Sequence, residues 1–318
     1  MSPDAGASAP QRAQQTASYY GQPVIKEPVW TPEIPLYFFA GGLAGASAAL
    51  AAAAERSGSQ RLARRAWLTA LLGVSVSPAL LVSDLGRPAR FLNMLRMFKV
   101  TSPMSVGSWV LAGSGATTAA AALNSFTGRL PRLARIAKPL AALLGLPLST
   151  YTGALIAQTA VPVWREARRE LPALFAAGAA TSAGAAATML TPLPEARPAR
   201  RLALGGAFGE LVLAALMQRR LGELAEPYHA GAAGSYSKLA SGLMAGGAIV
   251  LTGAGARRRA AAVAGGALLL GGALAERLAV FNAGLQSARD PKYTVGPQRR
   301  RVDARPAQDE QAAEAARS

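Results

Sequence analysis

A chain of 318 residues with no cysteine and a single histidine, His229, has no disulfide, no thiolate zinc site and no iron–sulfur ligation of its own. Its 34 Lys and Arg against 17 Asp and Glu leave a net charge of +17, which in a soluble protein would point to nucleic acid. Here the basic residues stand in short stretches between apolar segments, so anionic lipid and membrane topology account for the charge and nucleic acid is not an expected partner.

A bilayer core of about 30 Å is crossed by roughly 20 apolar residues of helix, and that length recurs along the chain. Residues 1–33 are polar and proline-bearing and lack the apolar core of a signal peptide, so they are expected to form an uncleaved N-terminal segment. Apolar segments follow at 34–54, at 66–83 (stopping at Asp84), at 104–123, and at 139–164 with internal Pro147, Gln158 and Pro162. Four more run over 171–194, over 202–217 around Glu210, over 239–256, and from 260 past Glu276 and Arg277 to about 284. The pattern predicts an all-α integral membrane bundle of about eight transmembrane helices over residues 34–285, followed by a charged tail, 286–318, expected to be disordered. Small residues four apart at Gly41/Gly45, Gly205/Gly209 and Gly242/Gly246 predict close helix approach in lipid.

Eight helices put both termini on one side. The loops opposite the termini hold 14 Lys and Arg in 32 positions, against 10 in 47 on the terminal side. That bias favours termini outside the cytoplasm.

Ionisable side chains within a bilayer cost roughly 2.5–3.5 kcal/mol and mark function by default. Asp84 ends the second helix, Glu210 lies midway along the sixth, and Glu276 stands toward the end of the eighth. Tyr37 is one turn into the first helix, Tyr151 near the middle of the fourth, and Gln158 two turns later. Alternating helix directions bring Tyr37, Asp84, Trp109, Gln158 and Glu276 into the half of the membrane near the termini, which makes that half the expected site. Structural readings stand beside the functional ones. Tyr37 and Trp109 also suit an interfacial aromatic belt, and Asp84 suits a helix cap. Glu276 suits an ion pair, though not with its neighbour Arg277, because adjacent residues point apart on a helix. A lone loop histidine does not build a two-ligand membrane haem, so any electrons handled here come from a partner and pass to a diffusible carrier.

The stretch Asp84-Leu85-Gly86-Arg87-Pro88 with Arg90-Phe91, then Thr101-Ser102-Pro103-Met104-Ser105 and Gly107-Ser108-Trp109, follows Trp30-Thr31-Pro32-Glu33, Tyr37 and Gly42-Leu43-Ala44-Gly45. Together these residues resemble the NrfD/polysulfide-reductase membrane-subunit family. The resemblance implies a multi-pass subunit of the cell membrane that anchors an iron–sulfur (ferredoxin-like) subunit and a molybdopterin-type catalytic subunit. It implies electron transport between that partner and membrane quinone, menaquinone or ubiquinone, with no haem, cluster or metal in this chain. Whether the chain counts as an enzyme by itself stays open. The family's quinone-contacting tyrosine precedes a glycine by two positions in the fourth helix, where Tyr151-Thr152-Gly153 stands. A further polar contact one turn into the first helix, often histidine, corresponds to Tyr37. Trp109, Gln158, Glu33 and Arg87 complete the expected quinone-binding set. Asp84, Glu210 and Glu276 are the candidate proton relays, with Arg87 holding Asp84 charged or orienting it. Two other classes remain: a proton-coupled transporter using Glu210 and Glu276, although no internal repeat supports it, and a passive anchor without quinone.

Overall fold

The computed structural model describes residues 25–84, 87 and 90–295. Among them there is no strand, and eight long helices dominate. These are α1 (Glu33–Arg56), α2 (Gln60–Asp84), α3 (Pro103–Thr127), α4 (Pro131–Ala157), α5 (Leu171–Leu190), α6 (Arg197–Leu221), α7 (Gly231–Thr252) and α8 (Arg259–Arg289). Seven are long and apolar enough to cross a membrane. The remaining one, α7, reaches 22 residues but opens on the polar run Ser235, Tyr236, Ser237 and Lys238. The protein is an all-α integral membrane bundle.

Helix ends follow local chemistry. The Ser102 hydroxyl accepts from the Ser105 N–H at 3.4 Å, with Pro103 opening α3; such caps satisfy orphan N–H groups. Gly128 ends α3 at φ 70°, a left-handed conformation natural to glycine. The apolar segment read as 139–164 is divided. Its helix starts eight residues earlier, at Pro131, and stops at Ala157, and a separate five-residue helix spans Pro162–Glu166. Pro162 lacks an N–H and disfavours helical backbone at the preceding residue, Val161, which is extended at ψ 122°. At the other end of the chain α8 runs through residues 286–289, so the tail boundary expected at 286 falls inside a helix. The disorder expected further on concerns residues 296–318, which lie outside the described residues, as do residues 1–24 of the N-terminal segment.

The helices pack as two four-helix groups. The first contains α1–α4, with α1 against α2 and α4, and α3 against α4 and α2. The second contains α5–α8, with α5 against α6 and α8, and α7 against α8. The groups meet where α1 and α4 pack on α5. Apolar side chains such as Leu72, Val76, Ile136, Leu143, Phe208 and Ile249 are exposed on the outside, as lipid requires.

Backbones approach closely at glycines, but only partly at the expected ones. A β-carbon on Gly45 would collide with the Gly145 carbonyl on α4, so the α1–α4 crossing depends on it. Gly205, Gly242 and Gly246 face open space, and Gly209 meets only Ala177 at ordinary contact distance. The close approaches belong to the adjacent residues. Gly206 lies against the Thr181 backbone of α5, and Gly247 against Leu269 and the Gly265 carbonyl of α8. On α6 and α7 the expected small-residue pairs therefore do not make the close approaches; the faces that meet a neighbour lie one residue, about 100° of helix rotation, further on.

Candidate functional site

At the terminal end of the first group, α1–α4 splay around a cavity of about 120 Å³. Its walls are Ile34, Tyr37 and Phe38 of α1, Leu81 and Asp84 of α2, Met104 and Ser108 of α3, and Tyr151 and Leu155 of α4, closed by Trp30 and Met94. The wall is apolar with a few hydroxyl and carboxyl groups. Neither the Tyr37 nor the Tyr151 hydroxyl has a hydrogen-bond partner among the described residues, which leaves two free donors aimed from different helices. Tyr151 is held by Gly107, since any β-carbon there would collide with its ring. The glycine of Gly107-Ser108-Trp109 is therefore explained by the tyrosine it accommodates.

Asp84 has a second task. Its Oδ1 accepts from the Thr31 backbone N–H at 3.0 Å and from the Thr31 hydroxyl at 2.6 Å. It therefore ties the chain before α1 to the end of α2. Trp30 is fixed by stacking on Trp164, with ring centroids 5.6 Å apart. Trp164 donates to the Val280 carbonyl at 2.8 Å, and its ring lies over Gly284. Glu27 pairs with Arg289 at 2.6 Å. The segment before α1 is thus strapped across the terminal face of both helix groups and closes the cavity.

A second polar feature lies mid-bundle in the other group. Arg277 of α8 stands 3.6 Å from the Glu210 carboxylate of α6, donates from Nη2 to the Phe175 carbonyl at 2.8 Å, and rests 4.0 Å above the Phe175 ring. Thr181 of α5 donates to Glu210 Oε2 at 3.2 Å. Glu210, Glu276 and Arg277 are each at most 3% exposed. Among the described residues Glu210 Oε1, Glu276 Oε1 and Arg277 Nη1 have no hydrogen-bond partner, and neither has the buried Tyr228 hydroxyl. Gly178 makes room, because a β-carbon there would strike both Arg277 and Glu210. Phe175 also touches Phe38, at 5.8 Å between centroids, and Phe38 lines the terminal cavity. One aromatic row thus joins the two features.

The expected residues divide accordingly. Tyr37, Asp84 and Tyr151 share the cavity. Glu210 and Glu276 do not line the cavity; Glu210 pairs with Arg277, and Glu276 is buried beside Arg277 in the chain. Trp109 is outside the wall, 43% exposed and edge-on to Phe98. Gln158 follows α4 and is exposed, Arg87 is exposed on the loop, and Glu33 opens α1 with a buried, unpartnered Oε2 that does not line the cavity. Of the 84–90 loop, residues 85, 86, 88 and 89 lie outside the described residues. Among the described residues no group of three or more His, Cys, Asp or Glu is placed to hold a metal ion.

A family model described as polysulphide reductase, NrfD, matches residues 22–286. The chain belongs to the NrfD family. As an NrfD protein it is a multi-pass membrane protein of the kind that serves as the membrane subunit of polysulfide-reductase-like complexes. No curated protein matches it. The NrfD match covers both four-helix groups, so the cavity and the charge cluster both lie within the family's own segment. Sequence reasoning missed Arg277 as a partner, together with Thr181, Phe175 and Trp164, and read Trp30 and Gly107 only as motif residues. Charge balance held the signal for Arg277, since two buried carboxylates imply a cation in reach.

Proposed function

We propose that this subunit exchanges electrons between a partner iron–sulfur subunit and membrane quinone or quinol, binding the headgroup in the cavity between α1 and α4. The observation that carries the reading is the pair of tyrosine hydroxyls, Tyr37 and Tyr151, without a partner among the described residues, on a largely apolar wall. The residues present fit such a group: hydroxyl donors for two carbonyls, and flat apolar and aromatic walls for the ring. When bound, quinone supplies a carrier of two electrons and two protons.

The chain's own residues then have distinct tasks. Tyr37 and Tyr151 hold and orient the headgroup by donating hydrogen bonds. Trp30, Phe38 and Leu155 exclude water from its faces. Asp84 Oδ1 stays bound to Thr31, leaving Oδ2 to hold or pass a proton at the edge of the cavity. The electron donor docks on the same face, where the strapped segment and the loop after α2 present polar surface; a molybdopterin-type catalytic subunit completes the complex. The mid-bundle cluster serves protons. With two carboxylates and one guanidinium it is neutral when it carries one proton, and Tyr228 lies on its terminal side. The Phe38–Phe175 contact is the physical connection between the two sites.

Binding is tested on the purified subunit in lipid nanodiscs. Trp30 lines the cavity, so soluble menaquinone or ubiquinone analogues should quench its fluorescence saturably, and Trp30→Phe should remove most of that quenching. Losing one hydroxyl donor costs about 0.5–1.5 kcal/mol, and up to about 3 where a partner is left unsatisfied. Tyr151→Phe and Tyr37→Phe should therefore each weaken binding by roughly threefold to a hundredfold. Unchanged affinity in both variants would refute the site.

A further inference from the structure

The face opposite the termini carries a second concave site, formed by two segments far apart in sequence, 193–201 and 256–257. It is an open cavity of about 610 Å³, lined by Leu193 and Pro194 from the α5–α6 turn, by Arg197, Arg200 and Arg201 from the first turns of α6, and by Ala256 and Arg257 after α7. Four guanidinium groups thus converge on one concavity. Among the described residues none of the four has an ion-pair or side-chain hydrogen-bond partner. The local acid is engaged elsewhere, with Glu195 paired to Arg61 at 3.0 Å. The nearest carbonyl-rich helix end is engaged too, since Arg259 donates to the Thr188 and Thr191 carbonyls at 3.0 and 2.8 Å and to the Met189 carbonyl. The N-terminus of α6 adds to the positive field, because no side chain caps it and its first turn holds no acid.

A topological signal explains why arginines stand in these loops, but not why arginines separated by some 56 positions of chain face one cavity. Like charges repel unless an anion lies between them. The cavity lies at the ends of α5, α6 and α7, on the side that the loop charges assign to the anionic leaflet, and its remaining wall is apolar. Guanidinium forks match phosphate oxygens in pairs. We infer that this pocket binds the phosphate headgroup of an anionic phospholipid, with the acyl chains lying along Leu193 and Pro194.

The test uses the full-length purified protein, delipidated and then exchanged into phosphatidylcholine vesicles doped with phosphatidylglycerol or cardiolipin, with bound lipid read by native mass spectrometry. The wild type should retain the anionic lipids over phosphatidylcholine. Each arginine near an anionic surface contributes about a factor of five, so the double variant Arg200→Gln/Arg201→Gln should retain them about thirtyfold less. Arg200→Lys/Arg201→Lys keeps the charge without the fork and should fall between the two. Arg257→Gln alone, on the exposed loop, should weaken retention about fivefold and serves if the double variant expresses poorly. Equal retention of phosphatidylcholine, or retention unchanged in the Gln variants, would overturn the site. Complete displacement of the lipid by millimolar inorganic phosphate would make it a soluble-anion site and overturn the lipid assignment.

Discussion

At Asp84 the observed tie to Thr31 and the proposed proton role can be separated by one substitution. Both Thr31 bonds reach the same oxygen, Oδ1, and asparagine presents an equivalent oxygen at that position. Asp84→Asn should therefore keep the strap and the level of subunit in the membrane, while quinone-linked turnover of the assembled complex falls at least tenfold for want of a proton carrier. Asp84→Ala should lose both. Normal turnover in Asp84→Asn would reduce the residue to a tether. The mid-bundle cluster yields a comparable separation. Glu210→Gln or Glu276→Gln alone leaves Arg277 one carboxylate, so the fold should survive. Removing both leaves a buried, uncompensated guanidinium, which costs about 3–5 kcal/mol. The double variant should thus lose much of its thermal stability in detergent, by well over the sum of the single effects. Additive effects would mean that Arg277 does not depend on the two acids together. Tyr37, Asp84 and Tyr151 were readable from residue type, depth and the motif they belong to. The arginine–glutamate pairing was not, because it joins α6 to α8 across 67 positions of chain and depends on the rotation of both helices.

Element existence was legible because the apolar lengths are set by bilayer thickness. Element ends and faces were less so. Polar first turns, such as Arg132 and Arg135 in α4, carry no hydrophobic signal yet are helical. A proline at 162 can continue an apolar run while ending a helix. The glycine faces make the same point quantitatively, since one residue of register decides which side meets a neighbour. Gly45→Ala and Gly206→Ala should each be destabilising by about 1–3 kcal/mol through overpacking against backbone atoms. Gly205→Ala and Gly242→Ala face open space and should be neutral or slightly stabilising, as alanine is the better helix former. Thermal melts of the four variants in one detergent compare them directly. Equal losses at Gly205 and Gly206 would show that the register of α6 against α5 is different from the one described.

At the scale of the whole molecule the decisive property is which ends of the helices share a side, because the proposed quinone and electron-donor roles require the cavity, the strap and the loop after α2 on one face, with the arginine pocket on the other. The absence of cysteine makes this measurable without background, since any introduced thiol is the only one in the chain. Gln158 and His229 are exposed between α4 and α5 and between α6 and α7 respectively, both on the terminal side. Ser57, Arg129 and Arg257 are exposed in the turns after α1, α3 and α7, on the opposite side. Single variants Gln158→Cys and His229→Cys should react alike with a membrane-impermeant maleimide in intact cells, and Ser57→Cys, Arg129→Cys and Arg257→Cys should react alike in the opposite sense, becoming accessible only when the membrane is opened or inverted. The excess of basic residues in the second set of loops sets the sign, so the first set should be labelled from outside. A reversed sign with the two sets still segregated would keep the fold and move the electron donor to the cytoplasm. Mixing of the sets, with Ser57 and Gln158 labelled from one side, would mean an even number of crossings between them instead of the three formed by α2, α3 and α4, and would take apart the alignment of α1–α4 on which the cavity depends.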